Sequence, residues 1–454
     1  MRQKRAQPID SLKRLLKTGP DCRVWRKRVA RACALLLMSI STASFGAPDQ
    51  SIEEILDTLD PELIDIGAQI EAQEFAPAIA TLERRIRTIE QSSRYDPGLV
   101  APLTLLGDAQ AGAGDYDGAL DSYGRAVHIN RVNDGLISPK QVDIVYREAE
   151  VYKTLGNYRE ANNREDYAYH VLEKSFGPFN EKLLPGVYHL AAWYKETYNI
   201  YQARSLYERA VQILESNNKH QTHQIIPALA GIAATYRLER FPPFLITNLS
   251  GASYGSGNTS DDPISVNNFP AGERALQRIV LILKANPAED SLIVAEAVLE
   301  LADWNLLWDR TNRAFPLYEH AYELLVNTEN VDVEGYFAEP KLLYYPSPRD
   351  PKAPALKYRG AQQHGYVEIG YRVSTTGHVR SLTTIASEPE GLMDFRVRKS
   401  VRYARYRPVL VAGIPIISED NIYRHEFDYF PRRTVAGSEP QSQDPTPIKR
   451  VSDE

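Results

Sequence analysis

The sequence predicts a mostly α chain, an α-α hairpin solenoid followed by a small α+β domain of β-β-α-β order. Three observations predict it. Alanines recur 42 residues apart, at Ala119, Ala161 and Ala203. Beyond residue 365 the apolar period falls from 3.6 to 2, the change expected where helices give way to strands. Between these regions, residues 340–354 carry repeated prolines, which break helices.

Residues 1–46 read as an export signal. Arg23, Arg26, Lys27, Arg28 and Arg31 form a basic flank, residues 32–40 an apolar core, and Ser44-Phe45-Gly46 before Ala47 a small-x-small cleavage site. The apolar run is shorter than the ~20 residues a helix needs to span a bilayer. The expectation is therefore a cleaved signal peptide and a periplasmic protein. The alternative is a retained inner-membrane anchor facing the periplasm. Both cysteines, Cys22 and Cys33, lie in this segment, and Cys33 opens the apolar core rather than closing it, which does not suit a lipid acceptor. The chain after residue 46 has no cysteine for a disulfide, a thiolate metal site or a nucleophile. Residues 1–46 hold 11 Lys/Arg and 2 Asp/Glu, which leaves 42 basic against 57 acidic residues and a net charge of −15. An acidic chain lacks the basic surface that nucleic acid requires.

The repeats follow over residues 52–328. Asp115 to Ala119 leads into Tyr123 and Ala126; Asn157 to Ala161 into Ala168; Asn199 to Ala203 into Tyr207 and Ala210; Thr311 to Ala314 into Tyr318 and Ala321. A small residue stands twelve positions before each leading alanine: Gly107, Ala149, Ala191 and Ala302. Small residues let two antiparallel helices approach, and aromatics fill the space beside them. Phe75, Ala78 and Leu82 mark a degenerate first unit. A fifth begins near Gly231 and resumes at Ala275, across a Gly/Ser/Asn/Pro-rich inserted loop at 241–270. This gives about six hairpins. The pattern resembles the tetratricopeptide (TPR) repeat, although 42 residues exceeds the usual ~34. Longer helices or longer links would account for the difference. Such an array should form a superhelix whose first helices line a groove. On that face lie Asp108, Tyr146, Glu150, Lys153, Tyr188 and Lys195, a mix of aromatic and charged groups suited to peptides.

Residues 329–357 read as a proline-rich extended linker, 358–431 as the α+β domain and 432–454 as a polar, disordered tail. In the domain, residues 366–373 alternate as a strand, Gly377 centres a turn, and 379–386 make a second strand. Met393, Val397, Val401 and Ala404 recur at helical spacing, and 422–430 alternate again.

This unit resembles the TonB C-terminal domain. The resemblance rests on Gly365, the alternation of Val367, Ile369, Tyr371 and Val373, Gly377, Met393-Asp394, Val401, Tyr406-Arg407-Pro408, Gly413-Ile414-Pro415-Ile416 and the last strand from Tyr423 to Tyr429. It implies a periplasmic domain that pairs extended peptides with an exposed strand. The strand-pairing edge it implies is Ile422, Tyr423, Arg424, His425, Glu426, Phe427, Asp428 and Tyr429. Implied partners are other envelope proteins or peptides, outer-membrane receptor segments among them. The chain departs from an energy transducer in its doubtful anchor and in having helical repeats where a long arm would stand. A protein-binding scaffold is therefore the favoured reading, with a TonB-type energy transducer as the alternative.

Other constellations count for less. His220 and His223 follow Glu215 without a further ligand cluster, so no metal site is expected. Arg396, Arg398, Lys399, Arg402, Arg405 and Arg407 read as a solvated face of the C-terminal helix. No phosphate-binding glycine loop, nucleophile elbow or His-Glu-x-x-His motif occurs, so no enzyme, cofactor or small-molecule substrate is expected.

Overall fold

The computed structural model describes residues 60–244, 268–286, 289–328, 331–354 and 359–431. The expected export signal and polar tail lie outside them, as does most of the inserted loop. The chain divides into two compact units, residues 1–235 and 236–454.

The first unit is a run of helical hairpins. They are α1 (Pro61–Glu71) with α2 (Phe75–Glu90), α3 (Val100–Ala113) with α4 (Tyr116–Asp134), α5 (Val142–Thr154) with α6 (Tyr158–Phe176), and α7 (Leu184–Glu196) with α8 (Ile200–Ser216). The first part of α9 (Ile226–Arg240) follows. The 42-residue period has a local cause. Asp96, Ser138, Asn180 and Thr222 each stand before a 3-10 turn that leads into a first helix. Asp96, Ser138 and Asn180 accept from the backbone N–H of Gly98, Lys140 and Lys182. Second helices begin after Asp115, Asn157 and Asn199 in the same step, and α4 and α6 run to 19 residues each. The added length therefore lies in the second helices and in the capped 3-10 turns.

Packing follows the small positions. Ala78, Ala119, Ala161, Ala203 and Ala210 are fully buried. A Cβ on Gly107 would collide with the Tyr123 ring, and one on Gly231 with the Tyr207 ring. The main core of this unit runs from Ile66 and Leu82 through Leu103 and Val127 to Val145 and Val171. Asn133 and Asn217 donate to the carbonyls of Tyr95 and Phe179, both at 2.9 Å, and so tie the ends of α4 and α8 to the links that precede their hairpins.

The second unit contains the end of α9, α10 (Phe269–Lys284), the hairpin α11 (Ser291–Leu307) and α12 (Thr311–Val326), a short α13 (Val333–Phe337), and the sheet region. The sheet region comprises β1 (Lys341–Tyr344), β2 (Gln363–Val373), β3 (Val379–Glu388), α14 (Asp394–Tyr403), β4 (Arg405–Arg407), β5 (Val409–Val411), β6 (Ile414–Ile416) and β7 (Ser418–Tyr429). The main sheet is antiparallel in the order β3-β2-β7. Val367, Ile369, Val373, Met393, Val397, Val401 and Phe427 form its core against α14.

Two readings require correction. The reading of 329–357 as an extended linker does not hold over its described residues, 331–354. Phe337 is buried, and β1 pairs antiparallel with β4, Lys341 opposite Arg407 and Leu342 opposite Tyr406. The prolines stop a helix but leave the Leu-Leu-Tyr-Tyr run between them free to extend. Arg405 and Arg407 are likewise not on the solvated helix. Both lie on β4, and Arg407 is buried.

Candidate functional site

The predicted groove residues lie on successive first helices of the first unit, and much of their polar chemistry holds hairpins together. On α3, Asp108 accepts from the Tyr123 hydroxyl at 2.7 Å and from the Arg147 guanidinium at 2.7 Å. Burial raises its carboxyl above the ordinary aspartate range, against the opposing pull of Arg147 and Tyr123. On α5, Tyr146 stacks on His189 of α7 with ring centres 3.8 Å apart, and His189 pairs with the buried Glu165 at 2.9 Å. Glu150 is exposed and lies 3.5 Å from Lys153. Lys153 also reaches Glu196 at 2.9 Å and sits over the Trp193 ring. On α7, the Tyr188 ring lies 6.5 Å from that of Tyr207. Burial, with a smaller contribution from Tyr207, pushes the Tyr188 hydroxyl up to about 12. Lys195 is half-buried in the last turn of α7. Sequence reasoning missed Arg147 and His189, which couple one hairpin to the next. The available signal was that each stands one residue beyond a predicted groove tyrosine, Tyr146 and Tyr188.

The second unit repeats the Asp108 arrangement with one substitution. Asp303 occupies the position after the small Ala302, as Asp108 does after Gly107. It accepts from the Tyr318 hydroxyl at 2.8 Å, fifteen residues on, as Asp108 does from Tyr123. The arginine comes from β4: Arg407 donates to both Asp303 oxygens, at 2.8 and 2.6 Å, with both side chains buried. Burial opposes the charge on Arg407, but Asp303 and its hydrogen bonds outweigh this and hold the guanidinium more firmly protonated. A bidentate, charge-assisted pair is the arrangement that can compensate such burial. The sheet region thus grips α11 and α12 with the contact that, in the first unit, a following helix supplies.

All eight predicted strand-pairing residues fall on β7. Its register with β2 is unbroken from Gln363 opposite Tyr429 to Tyr371 opposite Asn421. Tyr423, His425, Phe427 and Tyr429 turn toward the core; Ile422, Arg424, Glu426 and Asp428 turn outward. Tyr345 covers the inner side, its ring 4.7 Å from Tyr423 and its hydroxyl 3.2 Å from His425 Nδ1. Among the described residues β7 pairs with β2 alone. In an antiparallel pair alternate residues direct N–H and C=O away from their partner, so β7 presents a row of them at the sheet margin. The opposite margin, β3, is different. Its register with β2 slips twice, and Ser381 within it has a φ of 53°. Bulges of this kind blunt an edge against pairing.

No protein-family model matches the chain, and no curated protein matches it by sequence. Solved structures similar to it include BtubC (BKLC) from P. vanneervenii, with 14% identity over 63% of this chain and 98% of that one and a TM-score of 0.37. RapI in its apo form matches at 11% identity over 70% and 74%, with a TM-score of 0.40. Aspartyl phosphate phosphatase F from Bacillus subtilis matches at 12% over 74% and 80%, with a TM-score of 0.36. The repeat architecture described above stands on this chain's own helices and not on these likenesses.

Proposed function

We propose that this chain is an exported protein-binding scaffold whose C-terminal sheet takes up an extended segment of a partner along β7. The observation that carries the reading is the contrast between the two sheet margins: β7 holds an unbroken register from Asn421 to Tyr429 and slips only before it, where Asp420 has a φ of 56°, whereas the register of β3 slips at two points within the strand. β-Augmentation needs a regular row of main-chain donors and acceptors, and β7 supplies one. Further support comes from the resemblance of residues 358–431 to the TonB C-terminal domain, and the export-signal pattern of residues 1–46 favours a partner in the cell envelope. The helical repeats give the sheet a firm mount, because the buried Arg407–Asp303 pair joins it to α11.

Site-specific photocrosslinking in cells tests the reading. A photoreactive side chain at Ile422, 62% exposed on β7, should trap a short linear stretch of one partner. The same probe at Ile385, 53% exposed on β3, should not. Equal trapping at both positions, or trapping only at Ile385, would contradict it.

A further inference from the structure

The outward face of β7 specifies what such a segment would carry. Its residues stand opposite β2 in the order Ile422–Gly370, Arg424–Glu368, Glu426–Tyr366 and Asp428–His364. Near the first pair lies a shallow cavity of about 300 Å³, bordered by Ile422, Ile385 and Thr383 with Arg372 and Asp420 at its polar side; Thr383 and Ile385 close over Gly370 itself. Toward the other end a cavity of about 440 Å³ is lined by Asp350, Glu426, Asp428 and Arg424. Arg424 is already engaged. It donates to Glu368 at 2.8 Å and to Glu426 at 3.2 Å, and it stacks on the Tyr366 ring at 3.8 Å. Asp428 is held in place by Gln362 at 2.8 Å and by His364. Glu426 remains 75% exposed at the side chain. The face is therefore apolar at Ile422 and acidic four residues further along.

A strand added beside β7 places its own residues on the same face two apart, level with Ile422, Arg424, Glu426 and Asp428. Like charges level with one another across strands are destabilising and opposite charges are favourable. The geometry points to a partner segment that sets an apolar, β-branched residue beside Ile422 and a lysine or arginine four positions away beside Glu426 and Asp428. This inference rests on strand addition at β7 and adds to it the chemistry of the ligand: a basic, amphipathic extended peptide.

Binding of synthetic nine-residue peptides to the full chain tests it. One peptide alternates Thr and Val and carries Lys four positions from a central Val; its twin carries Glu there. At low salt the Lys peptide should bind at least about tenfold more tightly, and the ratio should shrink as salt screens the pair. Glu426→Lys, at an exposed position, should reverse the preference, and Asp428→Asn should weaken it. Equal affinity for both peptides, or a preference unmoved by Glu426→Lys, overturns the inference while leaving strand addition intact. Binding of neither peptide overturns both.

Discussion

At the scale of single residues, the buried Arg407–Asp303 pair is the most consequential contact in the second unit. Removing one partner leaves a charge without compensation, which typically costs ~3–5 kcal/mol, whereas replacing both by apolar groups of similar size is often close to neutral. Asp303→Asn should therefore destabilise the chain by about 3 kcal/mol or more in urea unfolding. Asp303→Leu combined with Arg407→Met should recover much of that loss, short of the share belonging to the Tyr318 hydroxyl. A double variant no more stable than the worse single one would show that the pair does not act as a unit. His425 is a second sensitive point. Burial lowers its pKa below the ordinary 6.5, with Asp350 pulling weakly the other way. The fold thus favours neutral imidazole. Its contribution is complete above pH 6.5 and is lost as pH falls through the lowered value. His425→Gln should flatten the fall in stability as the pH drops below about 6.5, measured by urea unfolding at a series of pH values; an unchanged slope would contradict this.

At the scale of elements, close approach of helices decides the architecture. Gly107→Ala would force the Tyr123 ring to move, and overpacking of this kind costs ~1–3 kcal/mol. A lower thermal midpoint with unchanged helix content is the expected outcome. This element was legible in the sequence because small and aromatic residues at a fixed spacing have one economical packing. So were β2, β3, α14 and β7, whose periods of 2 and 3.6 are set by burial on one face. The contacts of residues 337–344 were not legible. Proline content reports where a helix cannot go and says nothing of a short strand finding a partner 61 to 66 residues later in β4. Arg407 was misplaced because the six basic residues from 396 to 407 read as one helix, and the turn into β4 after Ala404 separates them. A clue was present in α11: Asp303 is an acid amid Leu, Ala and Trp, and a charge in that setting requires a partner. The groove face was legible as a face. Its internal rungs, Asp108 to Arg147 and Tyr146 to His189, depend on distances that spacing alone does not give.

At the scale of the whole molecule, the account is of a run of helical hairpins followed by a sheet region whose β7 margin is open to a partner. The proposed envelope location rests on the export-signal pattern of residues 1–46. Mass spectrometry of the protein recovered from cells should find an N-terminus at Ala47. A membrane-embedded chain retaining those residues would favour the energy-transducer reading instead. Among the described residues no helix is long and apolar enough to cross a membrane. The most direct measurement concerns the margin itself: amide exchange along β7, residue by residue, without and with a bound Lys-bearing peptide. The outward-directed amides between Asn421 and Tyr429 should exchange quickly in the free protein and become protected on binding, at every second residue. Protection already present in the free protein, or protection appearing on β3 in its place, would contradict the account.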